Sequence, residues 1–288
     1  MEFVLFLPQM RLSFDDLVAR ARAAEAAGFT GITGMDHLAP PMAEDKPMYE
    51  AMIANTWLAA NTETLKIGSL VLCDSFRHPA VLARQAVSID HASGGRFELG
   101  IGWGSLPSEL TTFGVGSAEP ADRVARLRET LEVLQALWSG EVVEYQGAFH
   151  ELQGVQQVPG PLDRIPIVIG GVGRKTLALV RDFADWWNLE VRFIDRVDEL
   201  RSQVGSARIS IQKSVAFVGA GQDRDEIEQL ARRRFRGTRP LVGSSAELVD
   251  YFGGLADSGV ERVYTWFTDF ARPETLEEFG ETVIGELD

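Results

Sequence analysis

Three features of this chain combine residue types and positions that suit chemistry, and the first is a histidine beside an aspartate. His37 follows Asp36 directly, after a short apolar segment (residues 29–34) whose pattern predicts a strand. Histidine titrates near neutral pH, so that one placed at a strand end can give or take a proton. We interpret His37 as an acid or base, and Asp36 as a residue that orients the ring or bonds the backbone. The alternative is a loop histidine that packs on the proline-containing segment after it.

The second feature is a glycine turn between a predicted strand (residues 165–169) and a helical pattern that begins at Arg174. The turn consists of Gly170, Gly171, Val172 and Gly173. A helix start offers unpaired N–H groups and a positive dipole end, and glycines let a phosphate approach closely. Arg174 and Lys175 add positive charge at the same place. The turn therefore predicts a phosphate site, with a plain tight turn as the alternative. It is not the dinucleotide fingerprint, because the spacing G-x-G-x-x-G is absent.

The third feature is the loop after a predicted strand at residues 96–101. Gly102, Trp103 and Gly104 open this loop, and Glu109 lies a few residues further on. Glu109 is a candidate acid, or alternatively a cap for a local turn. Trp103 can stack on a planar ring, and buried aromatic packing is the alternative. We predict no metal site, because the chain has one cysteine, Cys73, and no third ligand at useful spacing from Asp36 and His37.

Composition excludes several classes of function. The net charge of -14 and the pI of about 4.8 argue against a general nucleic-acid or anionic-membrane surface. A single cysteine excludes an internal disulfide and fits a cytoplasmic location. The apolar amino terminus is too short for a signal peptide, and no apolar run has the length needed to cross a bilayer.

Eight short apolar segments, each followed by a helical pattern, position these candidate residues. The predicted strands are residues 2–7, 29–34, 65–72, 96–101, 165–169, 184–189, 209–218 and 260–266. The predicted helices are residues 13–28, 49–61, 79–91, 123–138, 176–182, 197–204, 223–235, 244–259 and 273–287, with a hairpin around Gly147 within residues 141–161. Such alternation over one chain of this length predicts a single (β/α)₈ barrel domain, residues 1–288. The active site is then expected at the carboxyl ends of the strands, where Asp36, His37, residues 70–77, residues 102–109, residues 170–175 and Asn188 fall.

The chain also resembles a known family along nearly its full length. The motifs are FRHPAVLARQAVSIDHASGGRFELGIGWG at residues 76–104, RETLEVLQALWSG at 128–140, PIVIGGVG at 166–173 and ADWWN at 184–188. They are similar to the bacterial luciferase-like monooxygenase family, and most of all to its subgroup that depends on the deazaflavin coenzyme F420.

This resemblance implies a barrel with the cofactor over the carboxyl ends of the strands. It implies a histidine near the ring after the second strand, here His37, and a non-proline cis peptide in the third strand, here Leu70–Val71. An acid acts after the fourth strand in some members, and Glu109 is the nearest match. Relatives carry a small residue between the two glycines, where this chain has Trp103. The predicted cofactor-binding residues are Asp36, His37, Leu70, Val71, Gly102, Trp103, Gly170, Gly171, Val172, Gly173, Arg174 and Asn188, and the predicted catalytic residues are His37 and Glu109.

The implied function is an F420-dependent oxidoreductase that transfers a hydride between the deazaflavin ring and a small organic substrate. An FMN-dependent monooxygenase of the same fold is one alternative, and a non-catalytic flavin-binding member is another. The family is often dimeric, so a homodimer is expected. F420 has an acidic tail, and we predict that Arg77, Arg174 and Lys175 include its contacts.

Overall fold

A closed barrel of eight parallel strands forms the centre of the molecule. The computed structural model describes residues 1–41, 43, 45–117, 119–235 and 239–287. The strands are β1 (Glu2–Phe6), β2 (Gly31–Gly34), β3 (Lys66–Ser69), β4 (Phe97–Gly102), β5 (Ile167–Gly170), β6 (Trp186–Glu190), β7 (Arg208–Phe217) and β8 (Arg262–Phe267). Neighbours in the chain are neighbours in the barrel, and β8 pairs with β1 to close it. The (β/α)₈ barrel predicted from the sequence is confirmed, including the sixth strand.

Helices surround the barrel. They are α1 (Phe14–Ala26), α2 (Ala51–Asn61), α3 (Pro79–Ser93), α4 (Pro107–Phe113), α5 (Pro120–Trp138), α6 (Arg174–Phe183), α7 (Val197–Arg201), α8 (Arg224–Arg234), α9 (Ser245–Asp257) and α10 (Pro273–Phe279). The chain continues from α10 through a π-helical segment (Gly280–Ile284) to Gly285–Leu287. Ser13 caps α1 in a capping box with Asp16, and Pro79 occupies the first turn of α3. No helix within the described residues has the length and apolar character needed to cross a membrane.

The predicted third strand, residues 65–72, is wrong as one continuous element. β3 ends at Ser69, a cis peptide joins Leu70 to Val71, and Leu72–Cys73 then pairs with the end of β4. Glycines on β4 make room for this break. A Cβ atom built on Gly100 would lie 1.9 Å from the Ser69 carbonyl oxygen, and one on Gly102 would lie 2.9 Å from a Val71 methyl. No other residue type fits at Gly100 without moving the backbone.

Other differences lie at element ends and in loops. The hairpin around Gly147 is confirmed, with strands Val142–Gln146 and Glu151–Gln156. The loop predicted to follow residues 96–101 contains α4, which begins at a proline. α7 ends at Arg201, earlier than predicted. A short strand, Leu241–Gly243, pairs with the end of β7 and was not predicted. The segment between the predicted helices at residues 223–235 and 244–259 lies partly outside the described residues.

A buried ion network fills the amino-terminal end of the barrel. Arg262 is fully buried and donates to the carboxylates of Glu2 and Glu98, at 2.5 to 2.8 Å and 2.6 to 3.0 Å. Its guanidinium stacks 3.8 Å from the centre of the Trp186 ring. Above it, Tyr264 packs with apolar side chains of β1 and with Met35, which follows β2. With this end of the barrel filled by paired charges, the opposite end is the place for a ligand.

Candidate active site

His37 and Glu109 meet at the carboxyl-terminal end of the barrel. His37 Nδ1 lies 2.9 Å from Glu109 Oε2, although 72 residues separate them in the chain. The other carboxylate oxygen of Glu109 accepts N–H bonds from Leu38 at 2.6 Å and Ala39 at 3.3 Å. Both oxygens of Glu109 are thus acceptors, which makes His37 Nδ1 the donor and leaves Nε2 as the basic nitrogen of the neutral ring. The two side chains are 17% and 9% exposed, so the pair is shielded yet reachable from the mouth.

Short helix α4 places Glu109 for this contact. Pro107 begins the helix and Glu109 lies in its first turn, where a carboxylate is favoured by the helix dipole. The loop that carries α4 starts at the end of β4 and folds back towards the end of β2. The sequence indicated an acid in this loop, but not the partner that it would bind.

Asp36 anchors the end of β2 to the segment that follows the break in the third strand. Its carboxylate accepts two bonds from Arg77, at 2.6 and 3.0 Å, and one from the N–H of Cys73 at 2.8 Å. Asp36 is 5% exposed, and Arg77 also pairs with Glu50. The carboxylates around Arg77 raise the pKa of its guanidinium although burial acts to lower it. Asp36 therefore bonds the backbone, the second of the two roles considered for it. Arg77 is engaged in these pairs, which does not favour the predicted contact with a cofactor tail.

The cis peptide between Leu70 and Val71 lies beside this anchor, as the resemblance implied. Leu70 packs on the cluster of Val4, Phe6, Met35 and Tyr264 at the mouth side of the barrel interior. Asn55 donates to the hydroxyl of Ser69 just before the break, at 3.0 Å. Hydrogen bonds before and after the cis peptide thus hold residues 69–73 in place. That Leu70 and Val71 contact a cofactor stays a prediction.

The glycine turn forms the far side of the mouth. Gly171 has a φ of +120°, which disfavours any residue with a side chain, and its N–H donates to Asn188 O at 3.2 Å. Gly173 caps α6 and has no side chain to satisfy the first N–H groups of the helix. Arg174 and Lys175 are exposed, and neither forms an ion pair with a described residue. The turn, the free helix start and the two cations occur together as the sequence predicted.

The end of β6 supports this turn from below. Trp187 is fully buried, and its indole N–H donates to the carbonyl of Gly171 at 2.9 Å. Asn188 is half-buried beside Gly170, and its side-chain oxygen lies 3.4 Å from the hydroxyl of Ser210. The amide N–H₂ of Asn188 bonds no described residue and is available at the mouth. This position agrees with the role predicted for Asn188, which stays a prediction.

Trp103 occupies a different environment from the rest of the predicted set. Its ring packs against the main hydrophobic core of the protein, and the guanidinium of Arg123 lies 4.7 Å from the centre of the ring. Arg123 is buried, donates to Gly104 O at 2.8 Å, and its Nε has no partner among the described residues. Trp103 is only partly buried in this packing, and its contact with a cofactor stays a prediction. Gly102, by contrast, lies against Val71 at the broken strand, where its lack of a Cβ is needed.

Several residues that shape the site were not predicted. Gln9 is buried, and its side-chain amide donates to Met35 O at 2.5 Å and accepts from Met35 N–H at 3.1 Å, which fixes the residue before Asp36. The signal for Gln9 was its place just beyond the end of β1. His150, in the hairpin around Gly147, is buried against Thr130. Burial lowers the pKa of His150 to about 4.

The thiol of Cys73 is poorly suited to nucleophilic chemistry. Burial raises the pKa of Cys73 to about 11, so the thiol is protonated and a poor nucleophile at neutral pH. Within the described residues, no group of three or more metal-ligating side chains comes together. A cavity of about 400 Å³ lined by Gln135, Trp138, Arg164 and Ile167 lies at the start of β5. That position is the amino-terminal end of the barrel, away from His37 and the glycine turn.

Comparisons with known proteins agree with this architecture. A family model described as luciferase-like monooxygenase matches residues 1–274. An uncharacterised protein of Mycobacterium tuberculosis is 30% identical over 215 residues, covering 67% of this chain and 73% of that protein. An F420-dependent glucose-6-phosphate dehydrogenase of Microbacterium testaceum is 32% identical over 163 residues, covering 56% of this chain and 48% of the dehydrogenase.

Solved structures share the whole fold. An F420-dependent secondary alcohol dehydrogenase, in complex with an F420–acetone adduct, matches with a TM-score of 0.85 and 16% identity. The match covers 100% of this chain and 99% of the dehydrogenase. At 16% identity, the similarity to this solved structure shows the fold alone. The family model, in contrast, matches the sequence itself over nearly its full length. The chain belongs to the luciferase-like monooxygenase family.

Proposed function

We propose that this chain is a single-domain coenzyme F420-dependent oxidoreductase that transfers a hydride between the deazaflavin ring and a small organic substrate. The observation that carries the proposal is the bond between His37 Nδ1 and Glu109 Oε2 at the mouth of the barrel. When bound, the deazaflavin supplies hydride chemistry at ring carbon C5, and the protein supplies position and proton transfer.

The glycine turn fits the phosphate of such a cofactor. A Cβ atom on Gly173 would meet one atom within 4 Å, the Thr176 hydroxyl at 3.7 Å, so the space before α6 is open. The first N–H groups of α6 lack a side-chain cap, which leaves donors for phosphate oxygens. Arg174 and Lys175 complete the charge balance. The predicted contacts of Gly170, Gly171, Val172, Gly173 and Arg174 with the cofactor belong to this proposal.

His37 is the proposed proton carrier, and Glu109 is its proposed partner. Since Glu109 accepts a hydrogen bond from Nδ1–H, the neutral ring presents a basic Nε2 that can take a proton from a substrate hydroxyl. A protonated ring returns that proton in the opposite direction, and the carboxylate of Glu109 stabilises the positive charge. The carboxylate of Asp36 accepts hydrogen bonds from the backbone N–H of Cys73 and from Arg77. These bonds fix the two segments that carry the His37 ring and Leu70.

An FMN-dependent monooxygenase is the second candidate, because the family is described as luciferase-like monooxygenase. The F420 proposal is supported by curated relatives such as the F420-dependent glucose-6-phosphate dehydrogenase of Microbacterium testaceum, at 32% identity over half its length. It is also supported by Asp36 and His37 after β2, the feature that the resemblance attributes to the deazaflavin enzymes.

The proposal is tested by turnover with F420. Purified protein is mixed with oxidised F420 and a panel of primary and secondary alcohols that includes glucose 6-phosphate, and reduction of F420 is followed by its absorbance. We expect at least one alcohol to reduce F420 with wild-type protein and none to do so with His37→Ala. His91→Ala is the control, because His91 is exposed at the end of α3. Equal turnover by His37→Ala and wild type contradicts the assignment. Because free reduced FMN consumes oxygen unaided, transfer of an oxygen atom from O₂ to a substrate with reduced FMN, without any turnover of F420, favours the monooxygenase.

A further inference from the structure

A second group of cations lies at the mouth, away from the glycine turn. Four arginines come together there, Arg11 from the loop after β1, Arg233 and Arg234 from the end of α8, and Arg272 from the loop after β8. We refer to these four residues as the arginine cluster. The loops that carry them follow β7, β8 and β1, which are consecutive strands of the closed barrel. Topology thus gathers them on one side of the mouth.

Contacts of the neighbouring residues fix this segment to the barrel. Arg234 donates to Thr268 O at 2.9 Å, directly beyond the end of β8. The next residue, Phe235, packs edge-on against Trp266 at 4.6 Å, and Trp266 packs against Phe6 at 5.2 Å. Phe6 and Trp266 belong to the apolar cluster at the mouth end of the barrel interior. The end of α8 therefore lies over the rim of the candidate active site.

The Arg11 backbone is held at the same rim. Its N–H donates to Pro47 O at 2.9 Å, and its φ is +64°. The adjoining Met10 pairs with Met48, which packs on the apolar cluster of the mouth. Arg11, Arg233 and Arg272 are exposed, and none of them forms an ion pair with a described residue. Such free cations are conspicuous in a protein of net charge -14.

Arg234 lies within electrostatic range of the other three arginines. Burial lowers the pKa of Arg234, and the charges of Arg272, Arg233 and Arg11 lower it further, while Asp269 raises it. The negative charge of Asp269 offsets part of this repulsion, and Asp45 lies within electrostatic range of Arg11. Four arginines near two carboxylates leave an excess of positive charge, which favours the binding of an anion. Barrels frequently bind phosphate in the loops after strands seven and eight, which is where three of the four arginines lie.

We propose that the arginine cluster binds an anionic group of the substrate, a phosphate or a carboxylate, so that this enzyme acts on a small acidic substrate. The proposal rests on the proposed function, because it places the substrate at the same mouth. An anion held after β8 and β1 leaves the remainder of a small molecule over β1 and β2, where His37 lies. The glycine turn follows β5, three strands from β8, and remains free for the cofactor phosphate.

Calorimetric titration with inorganic phosphate at constant ionic strength tests the cluster without turnover. We expect the double variant Arg234→Gln/Arg272→Gln to weaken a phosphate site of the wild type at least about tenfold, a factor typical of lost charge-assisted contacts. Arg272→Gln alone should weaken it several-fold, and it removes no contact on which folding depends. Arg232→Gln is the matched control, because Arg232 lies in the same helical turn but pairs with Glu228. Arg174→Gln reports on the glycine turn separately.

The outcomes separate the possible sources of the anion. Equal weakening by Arg232→Gln, or loss of the phosphate site through Arg174→Gln alone, overturns the proposal. The titration is repeated on protein saturated with F420, and we expect phosphate still to bind at the cluster. If F420 abolishes that binding and the double variant weakens F420 affinity, the cluster holds the acidic tail of the coenzyme and the substrate proposal is wrong. If the protein fails to bind F420, the proposed function fails, while the phosphate titration still decides whether the cluster binds anions.

Discussion

Replacement of Glu109 by glutamine changes the tautomer of His37 and little else, which makes it the sharpest test of the proposed proton transfer. The glutamine oxygen can keep the N–H bonds of Leu38 and Ala39, which now run to Oε1. Its amide N–H₂ then faces His37 Nδ1, where a carboxylate oxygen accepts at 2.9 Å. Two donors cannot face each other, so the Nδ1 proton must leave and Nε2 becomes the protonated nitrogen.

The size of the effect follows from the bond that is lost. A hydrogen bond to a charged group contributes about 1.5 to 3 kcal/mol, and this one is only 9 to 17% exposed. If that energy sets the preference for the productive tautomer, kcat falls roughly ten- to 150-fold. Because the fold and the glycine turn are unaffected, the F420 dissociation constant should change by less than about threefold and the melting temperature by only a few degrees.

Two assays check this prediction. Nitrogen NMR of the histidine rings distinguishes the two neutral tautomers without any substrate, and His37→Gln assigns the signal among the four histidines. We expect a proton on Nδ1 in the wild type and on Nε2 in Glu109→Gln. Steady-state turnover with F420 then measures kcat. An unchanged tautomer together with unchanged kcat would refute the reasoning.

Three further predictions concern the framework of the site. Asp36→Asn leaves Arg77 without its buried carboxylate and should lower the free energy of unfolding by about 3 kcal/mol in urea titrations; a change below about 1 kcal/mol would contradict the anchor role. Gly100→Ala drives a Cβ into the carbonyl oxygen of Ser69 and should cost about 3 kcal/mol or prevent folding, whereas near-wild-type stability would contradict the close approach. His150, with a folded pKa of about 4, should stabilise the protein fully above pH 6.5 and lose this contribution, at most about 3 kcal/mol, as the pH falls towards 4; His150→Gln should flatten that slope, and an unchanged slope would argue against burial of the neutral ring.

Local pattern was enough to predict the barrel and the position of the glycine turn. Most strands are apolar runs closed by a turn, and most helices carry their own start and stop residues, so that these units could be recognised by themselves. The sixth strand was predicted from its position in the series more than from its own pattern. Gly170, Gly173 and Arg174 are neighbours in sequence, and their joint presence at a helix start follows from the order of residues alone. His37 was predicted to lie at the mouth of the barrel because the sequence pattern indicated where its strand ends.

Contacts between distant loops could not be predicted in this way. Glu109 was a candidate acid, but its bond to His37 depends on α4 folding back across 72 residues. Arg77 was expected at the cofactor, yet it is a partner of Asp36 because the third strand breaks after Ser69. The break itself requires the small residue Gly100 on the next strand. This requirement involves two segments of the chain and could not be predicted from either segment by itself. The arginine cluster likewise arises from three loops that only closure of the barrel brings together.

A cofactor titration followed by tryptophan fluorescence tests the central claim most directly. Wild-type protein and Arg174→Glu are titrated with F420 and with FMN at one salt concentration. The account predicts that F420 binds tightly and FMN weakly to the wild type, and that charge reversal at Arg174 weakens F420 binding at least about tenfold. Tight FMN binding with weak F420 binding, or F420 binding that is indifferent to Arg174, would contradict it.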